Sequence, residues 1–141
     1  MGAAAWSISA WAQVTQTAGY NAIVADGDRF YIGKWDGGTQ FYVFDGATIT
    51  YFGTPPGINT WVHLVATYDG VTLRLYQNGV AAGTRTVTYA FAAANMQMGV
   101  FGASSYWHNG LIDDPCMWNR ALSPSEVTSL YNAGNGKLFP F

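Results

Sequence analysis

The sequence is poor in the residues on which several classes of protein depend. It has one cysteine, Cys116, one glutamate, Glu126, and only 10% of its 141 residues are charged. A single cysteine cannot form an intrachain disulfide, and the scarcity of glutamate and lysine excludes a coiled coil or another long-helix protein. Six basic residues are scattered among eight acidic ones, so the chain lacks the clustered positive charge that nucleic-acid binding requires.

Long apolar stretches are also missing. The chain has no run of about 18 apolar residues, so we predict no membrane span. Residues 1–11 lack the charged start and the apolar core of a signal peptide. Instead, half of the chain is hydrophobic and 16% of it is aromatic, which excludes a disordered protein. The length suits one domain over residues 1–141, large enough to bury a core.

Short strands separated by tight turns are the dominant pattern. Asx-Gly pairs, which favour hairpin turns, begin at positions 26, 36, 45, 69, 78 and 109. The runs between them are rich in β-branched and aromatic residues, which suit strands. We predict strands at 6–14, 22–25, 29–35, 40–45, 47–52, 61–68, 71–77, 84–89, 96–101 and 111–119. Many short strands with regular turns indicate an all-β sandwich or barrel.

One helix is well signalled near the end of the chain. Ser123 is suited to the N-cap, Pro124 to the first helical position, and Glu126 to completing a capping box. Gly134 is suited to ending the helix. We predict a short structural helix that packs on the sandwich.

Four motifs follow one another with the order and spacing of a known family. They are W-V-H-L-V-A-T-Y-D-G at 61–70, L-Y-Q-N-G at 75–79, G-L-I-D-D at 110–114 and N-R-A-L-S at 119–123, preceded by I-S-A-W at 8–11. The chain resembles the LamG-like domains of the concanavalin A-like lectin/glucanase superfamily over nearly its whole length. The resemblance implies a jelly-roll sandwich of two antiparallel sheets with one short C-terminal helix.

The resemblance also implies that one strand is missing. Domains of this family usually begin with a strand that precedes I-S-A-W and pairs beside the last strand, but only residues 1–5 precede Trp6. We therefore expect an unpaired edge, which natural proteins usually cover. The candidate covers are the tail at 137–141, a rearranged start of the chain, or a second copy in a homodimer.

The carboxylates do not suggest an enzyme. Glycoside hydrolysis usually needs two carboxylates that face each other across the scissile bond. Glu126 is assigned to the capping box, and Asp113 and Asp114 are adjacent on a strand, so we expect them on opposite faces. We interpret His63 as a packed, hydrogen-bonded histidine and Cys116 as a small core residue. We therefore predict no catalytic residues.

A metal site is the next alternative. Family members often hold calcium near the rim of the sandwich, with a ligand from the I-D-D segment, and Asp113 matches that position. Calcium takes six to eight oxygen ligands, and the early strand that usually helps is missing. Structural calcium at Asp113 is one interpretation, and a backbone hydrogen bond of Asp113 is the other.

Trp35 and Trp107 lie in a turn and a polar loop, where a core does not need them. Trp6, Trp11, Trp61 and Trp118 fall in family-like strands and are expected to be core or half-buried. Loop aromatics beside polar residues are candidate platforms for sugars, although the same residues could simply cap the sandwich edge. The predicted ligand-binding residues are Trp35, Asp36, Tyr106, Trp107, His108 and Asn109, with Tyr20 as a weaker candidate.

These observations predict a non-catalytic, lectin-like module that binds carbohydrate. It would be part of a larger extracellular or phage-associated protein, whether secreted or carried on a virion. Two alternatives stay open at this point. One is a structural or adhesion module that binds protein, including itself, and the other is an enzyme similar to glycoside hydrolases. Fold alone does not distinguish them.

Overall fold

Ten strands and one α-helix are present in the part of the chain that the computed structural model describes. That part comprises residues 5–16, 19–26, 30–34, 38–45, 47–87, 96–101 and 106–137. No helix among these residues is long and apolar enough to cross a membrane.

Two antiparallel five-stranded sheets form the molecule. The first sheet contains, in spatial order, β10 (Gly110–Trp118), β1 (Trp6–Val14), β6 (Trp61–Tyr68), β7 (Thr72–Gln77) and β8 (Val80–Thr86). The second contains, in spatial order, β5 (Ile49–Phe52), β4 (Phe41–Phe44), β3 (Phe30–Lys34), β2 (Asn21–Asp26) and β9 (Met96–Met98). This arrangement confirms the predicted all-β sandwich.

The main core lies between the two sheets. Alternation along β1 directs Ile8, Ala10 and Ala12 into it. The strands β3 and β4 of the second sheet contribute buried side chains from the opposite side. Its bulky members include Trp6, Phe30, Phe41, Phe52, Leu64, Tyr68, Leu73 and Leu75, all at most 3% exposed.

The helix α1 (Pro124–Tyr131) covers the outer face of the first sheet. It begins as predicted, because Ser123 accepts a hydrogen bond from the Glu126 backbone N–H and the Glu126 side chain accepts one from the Ser123 backbone. Its last residue is Tyr131, before the predicted Gly134, and the C-cap is Asn132, whose φ of 47° is left-handed. Val127 and Leu130 pack with a second, smaller cluster that contains Val65, Tyr76 and Leu122.

The turns explain where one strand prediction was wrong. The strand expected at 84–89 starts earlier, at Val80, because Asn78 and Gly79 both have positive φ (52° and 76°) and make a tight hairpin turn. Asp45 and Asp69 are turn formers as expected: each accepts hydrogen bonds from two following backbone N–H groups through Oδ1.

The strand β10 lies at an edge of the first sheet. Its one strand partner among the described residues is β1. The candidate covers at residues 1–4 and 138–141 lie outside the described residues, so the unpaired edge stays a prediction. The pairing is interrupted by a bulge, since Ser9 is opposite Cys116 and Trp11 is opposite Asp113. Asp114 lies in this bulge with a φ of 46°, so the strict alternation on which the opposite-face argument for Asp113 and Asp114 rested does not hold here.

Candidate functional site

The predicted segment from Tyr106 to Asn109 is fastened to the ends of two strands. The His108 backbone N–H donates to the Gly99 carbonyl over 2.8 Å, and the Asn109 N–H donates to Asn21 Oδ1 over 2.9 Å. The Asn109 carbonyl accepts hydrogen bonds from the backbone N–H and the hydroxyl of Thr15. Asn21 begins β2 and Thr15 follows β1, so both sheets hold this segment.

Trp107 protrudes from that fastened backbone. Its side chain is 59% exposed, among the most exposed large apolar side chains of the described residues. The two residues that follow it are both fixed by hydrogen bonds. An exposed indole on a backbone held in place is a preformed flat surface, which costs little entropy to use in binding.

The side chain of Tyr106 joins an aromatic cluster rather than solvent. Its ring lies 4.4 Å from that of Tyr20 in an edge-on arrangement and 5.6 Å from that of Phe101. Phe101 in turn packs on Tyr31, 4.2 Å away, on the outer face of the second sheet. Tyr20, the weaker candidate, is thus brought to the predicted site. These packed rings support the base of the segment from Tyr106 to Asn109, which we call the Trp107 loop.

His108 serves the structure of the loop. Its Nε2–H donates to the carbonyls of Gln13 and Leu111, over 3.2 and 3.3 Å, in the tautomer that suits two carbonyl partners. Burial lowers the pKa of His108, and the two carbonyls oppose that shift only in part. The imidazole is therefore neutral at pH 7, and the loop beside Trp107 carries no charge from it.

The other half of the predicted site was Trp35 and Asp36. Both fall outside the described residues, so their role stays a prediction. Lys34, which ends β3 just before them, pairs with Asn21 of β2 and with Phe41 of β4. Asn21 also holds Asn109, which places this end of β3 at the same end of the sandwich as the Trp107 loop.

Asp113, the predicted calcium ligand, lies on β10. It is exposed, and its Oδ1 accepts a hydrogen bond from the Asp114 backbone N–H over 2.9 Å. The described residues bring no group of three or more His, Cys, Asp or Glu side chains together. Calcium also takes backbone carbonyl and amide oxygens, so structural calcium at Asp113 stays a prediction.

His63 is the packed, hydrogen-bonded histidine that the sequence predicted. Its Nε2 lies 2.8 Å from the Ser9 hydroxyl, and its ring packs against those of Trp11 and Tyr131, with centroids 5.1 and 6.2 Å away. Burial lowers its pKa to about 4. The adjoining cavity is about 10 Å³, below the size of any substrate. The hydrogen bond between Ser9 and His63 therefore stabilises the packing and does not form a nucleophile–base pair.

The tryptophans assigned to the core mostly behave as expected. Trp6 is 3% exposed, and Trp11 and Trp118 are half-buried. Trp61 is the exception, at 38% exposed. It pairs with Gln13 at the last position of β1 that β6 reaches, where α1 no longer covers the sheet.

Sequence reasoning missed a groove between the edges of the two sheets, next to β10. We call it the edge groove, and its lining residues are Ile8, Val24, Met98, Ile112, Pro115 and Met117. Met98 and Met117 are 56% and 44% exposed. The unpaired edge expected beside the last strand was the signal that could have located it.

We expect Gly110→Ala to disturb the loop that carries Trp107. A Cβ at this position would collide with the Gln13 carbonyl oxygen and come within 2.8 Å of His108 Nε2. The substitution should lower the free energy of unfolding by roughly 1–3 kcal/mol, the usual cost of overpacking, as measured by denaturant titration. Gly57→Ala is the matched control, because its Cβ would meet nothing within 4 Å. Equal stability of the two variants would contradict the close approach at Gly110.

The comparison with families of known proteins gives one match. Residues 1–128 match the model of a family called Laminin_G_3, which is described as concanavalin A-like lectin/glucanases superfamily. A mouse protein, pappalysin-1, is 37% identical to this chain over 75 residues, which is 49% of this chain and 5% of pappalysin-1. The chain therefore corresponds to a small part of that relative.

Two solved structures with the same fold have descriptions that concern sugars. A Bacteroides ovatus protein described as a candidate carbohydrate-binding protein superposes with a TM-score of 0.76 at 16% identity, over 89% of this chain and 40% of its own. Domain 4 of AbnA, a GH43 extracellular arabinanase from Geobacillus stearothermophilus, was solved with arabinotriose. It superposes with a TM-score of 0.67 at 24% identity, over 92% of this chain and 67% of its own. At these identities the likeness shows the fold.

Proposed function

This chain belongs to the concanavalin A-like lectin/glucanase superfamily, and we propose that it binds carbohydrate without modifying it, through the Trp107 loop. The observation that carries the proposal is the 59% exposure of Trp107 on a backbone that hydrogen bonds fix at the two residues that follow it. Sugars present flat C–H faces that stack on aromatic rings, and their hydroxyls bond to nearby polar groups.

The electrostatics of the loop favour an uncharged saccharide. His108 is neutral at pH 7 because burial lowers its pKa, so it offers no cation to an acidic sugar. Asn109 contributes a neutral amide side chain. Binding by stacking and neutral hydrogen bonds should depend weakly on salt, unlike recognition of a sulfated or sialylated glycan.

Three of the described carboxylates are engaged in ways that support a non-catalytic role. Glu126 is held by Arg120, by the Ser123 backbone and by the Ser123 hydroxyl, and Asp45 and Asp69 are held in turns. Groups engaged in this way do not face a partner across a substrate, as glycoside hydrolysis requires. The glycoside hydrolase-like alternative is therefore the weaker one.

The proposed setting is outside the cell, as a module of a larger protein. Of the two superposed structures, one is a domain of an extracellular arabinanase and was solved with arabinotriose. The chain covers only 40% of the Bacteroides ovatus protein and 5% of pappalysin-1, which is the size relation of a module to its host. The proposal includes both a secreted host and a virion-associated one.

Replacing Trp107 with alanine is expected to remove saccharide binding while leaving the fold intact. A glycan array of neutral plant and microbial oligosaccharides would identify the ligand, and calorimetry would then measure its affinity. Loss of a stacking tryptophan at the centre of a site typically costs about 2 kcal/mol or more, which is about 30-fold in affinity. Stability should change little, since the side chain is mostly exposed.

The matched control is Trp61→Ala, which removes another exposed indole, on the outer face of the first sheet. It should bind the saccharide as the parent chain does. If the parent chain binds no glycan, or if Trp107→Ala binds as tightly as the parent, the proposal is wrong. The structural or adhesion alternative is favoured by a separate observation, the edge groove.

A further inference from the structure

We propose that the edge groove accepts an extended peptide strand from a partner protein, with apolar side chains at alternate positions and cationic side chains between them. The strand would add to the edge of β10 that no described strand occupies. His108 of the Trp107 loop lines one end of the groove, but the inference does not depend on carbohydrate binding.

The shape of the groove favours a strand. Two adjoining cavities of about 290 and 300 Å³ share Met98 and Pro115 as lining residues. Together they follow β10 from Gly110 to Met117, a length of about 25 Å at the rise of an extended chain. A groove that is long, open and parallel to a strand suits an extended peptide better than a compact molecule.

The floor of the groove is continuous with the main core. Ile8 and Val24, which line it, are 1% and 2% exposed and belong to the cluster between the sheets. Above them, the exposed side chains of Met98 and Met117 come from the edge strands of the two sheets. Side chains inserted here would extend the core, and methionine adapts readily to the shape of a partner.

The backbone of β10 supplies the second half of the argument. On the side away from β1, this strand has no strand partner within the described ranges, so its outward backbone groups can pair with an added strand. Pro115 has no N–H to donate and lies at the bulge, so pairing would run along the segments on either side of it. A small apolar molecule would fill the groove but leave this edge unpaired.

Charge selects the partner. Asp113 is exposed on β10, and Asp114 follows it in the bulge. A lysine or arginine opposite Asp113 would form a favourable cross-strand pair, whereas like charges there are destabilising. A second copy of this chain would bring two Asp113–Asp114 pairs and two Pro115 residues to one interface. A cationic strand from another protein is therefore the better fit than a homodimer.

The test uses a fluorescent nine-residue peptide in which valine and lysine alternate, and follows its binding to the full chain by anisotropy. We expect saturable binding that Met117→Lys and Met98→Lys each weaken at least tenfold, because both place a charge in the groove. Val80→Lys is the matched control: it adds the same charge, but Val80 is 69% exposed and lies on β8, at the opposite edge of the first sheet. It should weaken binding less than threefold.

A second peptide distinguishes a strand from a simple apolar ligand. The same sequence with alternate backbone nitrogens methylated keeps the side chains but loses edge hydrogen bonds, and it should not bind. Equal binding of both peptides, or equal loss in Met117→Lys and Val80→Lys, would overturn the proposal. Light scattering measures the oligomeric state of each variant. If the parent chain is a dimer and Met117→Lys is a monomer, the groove binds a second copy of the chain and the proposal is wrong. Circular dichroism checks that each variant is folded.

Discussion

Replacing Phe41 with alanine is expected to lower the free energy of unfolding by about 3–5 kcal/mol, the usual cost of emptying an aromatic site in a close-packed core. Phe41 is 0% exposed, and its ring lies 6.0 Å from that of Phe52 on the neighbouring strand. Both strands lie towards one edge of the second sheet, where few other elements can move in to fill the cavity. Denaturant titration would measure the loss.

The matched control is Tyr51→Ala, one residue from Phe52 on β5. Alternation turns Tyr51 outwards, and it is 54% exposed, so its removal should change stability by about 0.5 kcal/mol or less. A loss of less than about 1 kcal/mol for Phe41→Ala would show that this part of the core is loosely packed, contrary to the structure.

Acid is expected to destabilise the protein through His63 by about 3 kcal/mol between pH 6.5 and pH 4. The ordinary pKa of histidine is near 6.5, and burial in the folded state lowers that of His63 to about 4. Protonation is therefore easier in the unfolded chain. The contribution of the neutral ring is complete above pH 6.5 and is lost as the pH falls towards 4, because each pKa step of one corresponds to about 1.4 kcal/mol.

The surroundings of His63 explain why the charge is so unfavourable. The side chain is 2% exposed, its Nδ1 has no hydrogen-bond partner among the described residues, and its ring packs against those of Trp11 and Tyr131. Ser9, its partner at Nε2, is neutral. His108, whose pKa burial also lowers, contributes with the same sign.

His63→Gln is the diagnostic variant. It should be less stable than the parent at pH 7, and its stability should fall much less between pH 6.5 and pH 4. The carboxylates act in a lower window: hydrogen bonds to the Thr72 backbone and to Arg74 lower the pKa of Asp69 to about 2, and Arg120 does the same for Glu126. Their contribution is lost as the pH falls from about 4 to 2. An unchanged pH profile for His63→Gln would contradict the buried neutral imidazole.

The features that the sequence predicted well are those set by neighbours along the chain. The capping box of Ser123 and Glu126 joins residues three positions apart, and the turns at Asp45 and Asp69 join an aspartate to the next two or three N–H groups. Such bonds form whatever the rest of the fold does. The packed role of His63, by contrast, came from its place in the W-V-H strand of the family motif, because alternation alone puts it on the face opposite Val62 and Leu64.

Predictions that depended on an ideal strand were less secure. The expectation for Asp113 and Asp114 assumed uninterrupted alternation, but β10 has an extra residue against β1, and Asp114 takes a left-handed conformation there. The sequence of β10 alone does not predict this bulge, because a bulge is a property of two paired strands. Trp61 is similar: its exposure depends on where α1 stops covering the sheet.

By itself, the sequence determined an all-β domain with a capped C-terminal helix, named its family through the order of four motifs, and singled out Trp107. Only the tertiary structure decided that Asn21 and Thr15, each more than 85 residues away along the chain, hold the Trp107 loop. It also decided that an apolar groove lies open along β10. The physical reason is range: hydrogen bonds between near neighbours can be seen in the order of residues, whereas strand register and the gap between two sheets arise when distant segments pack together.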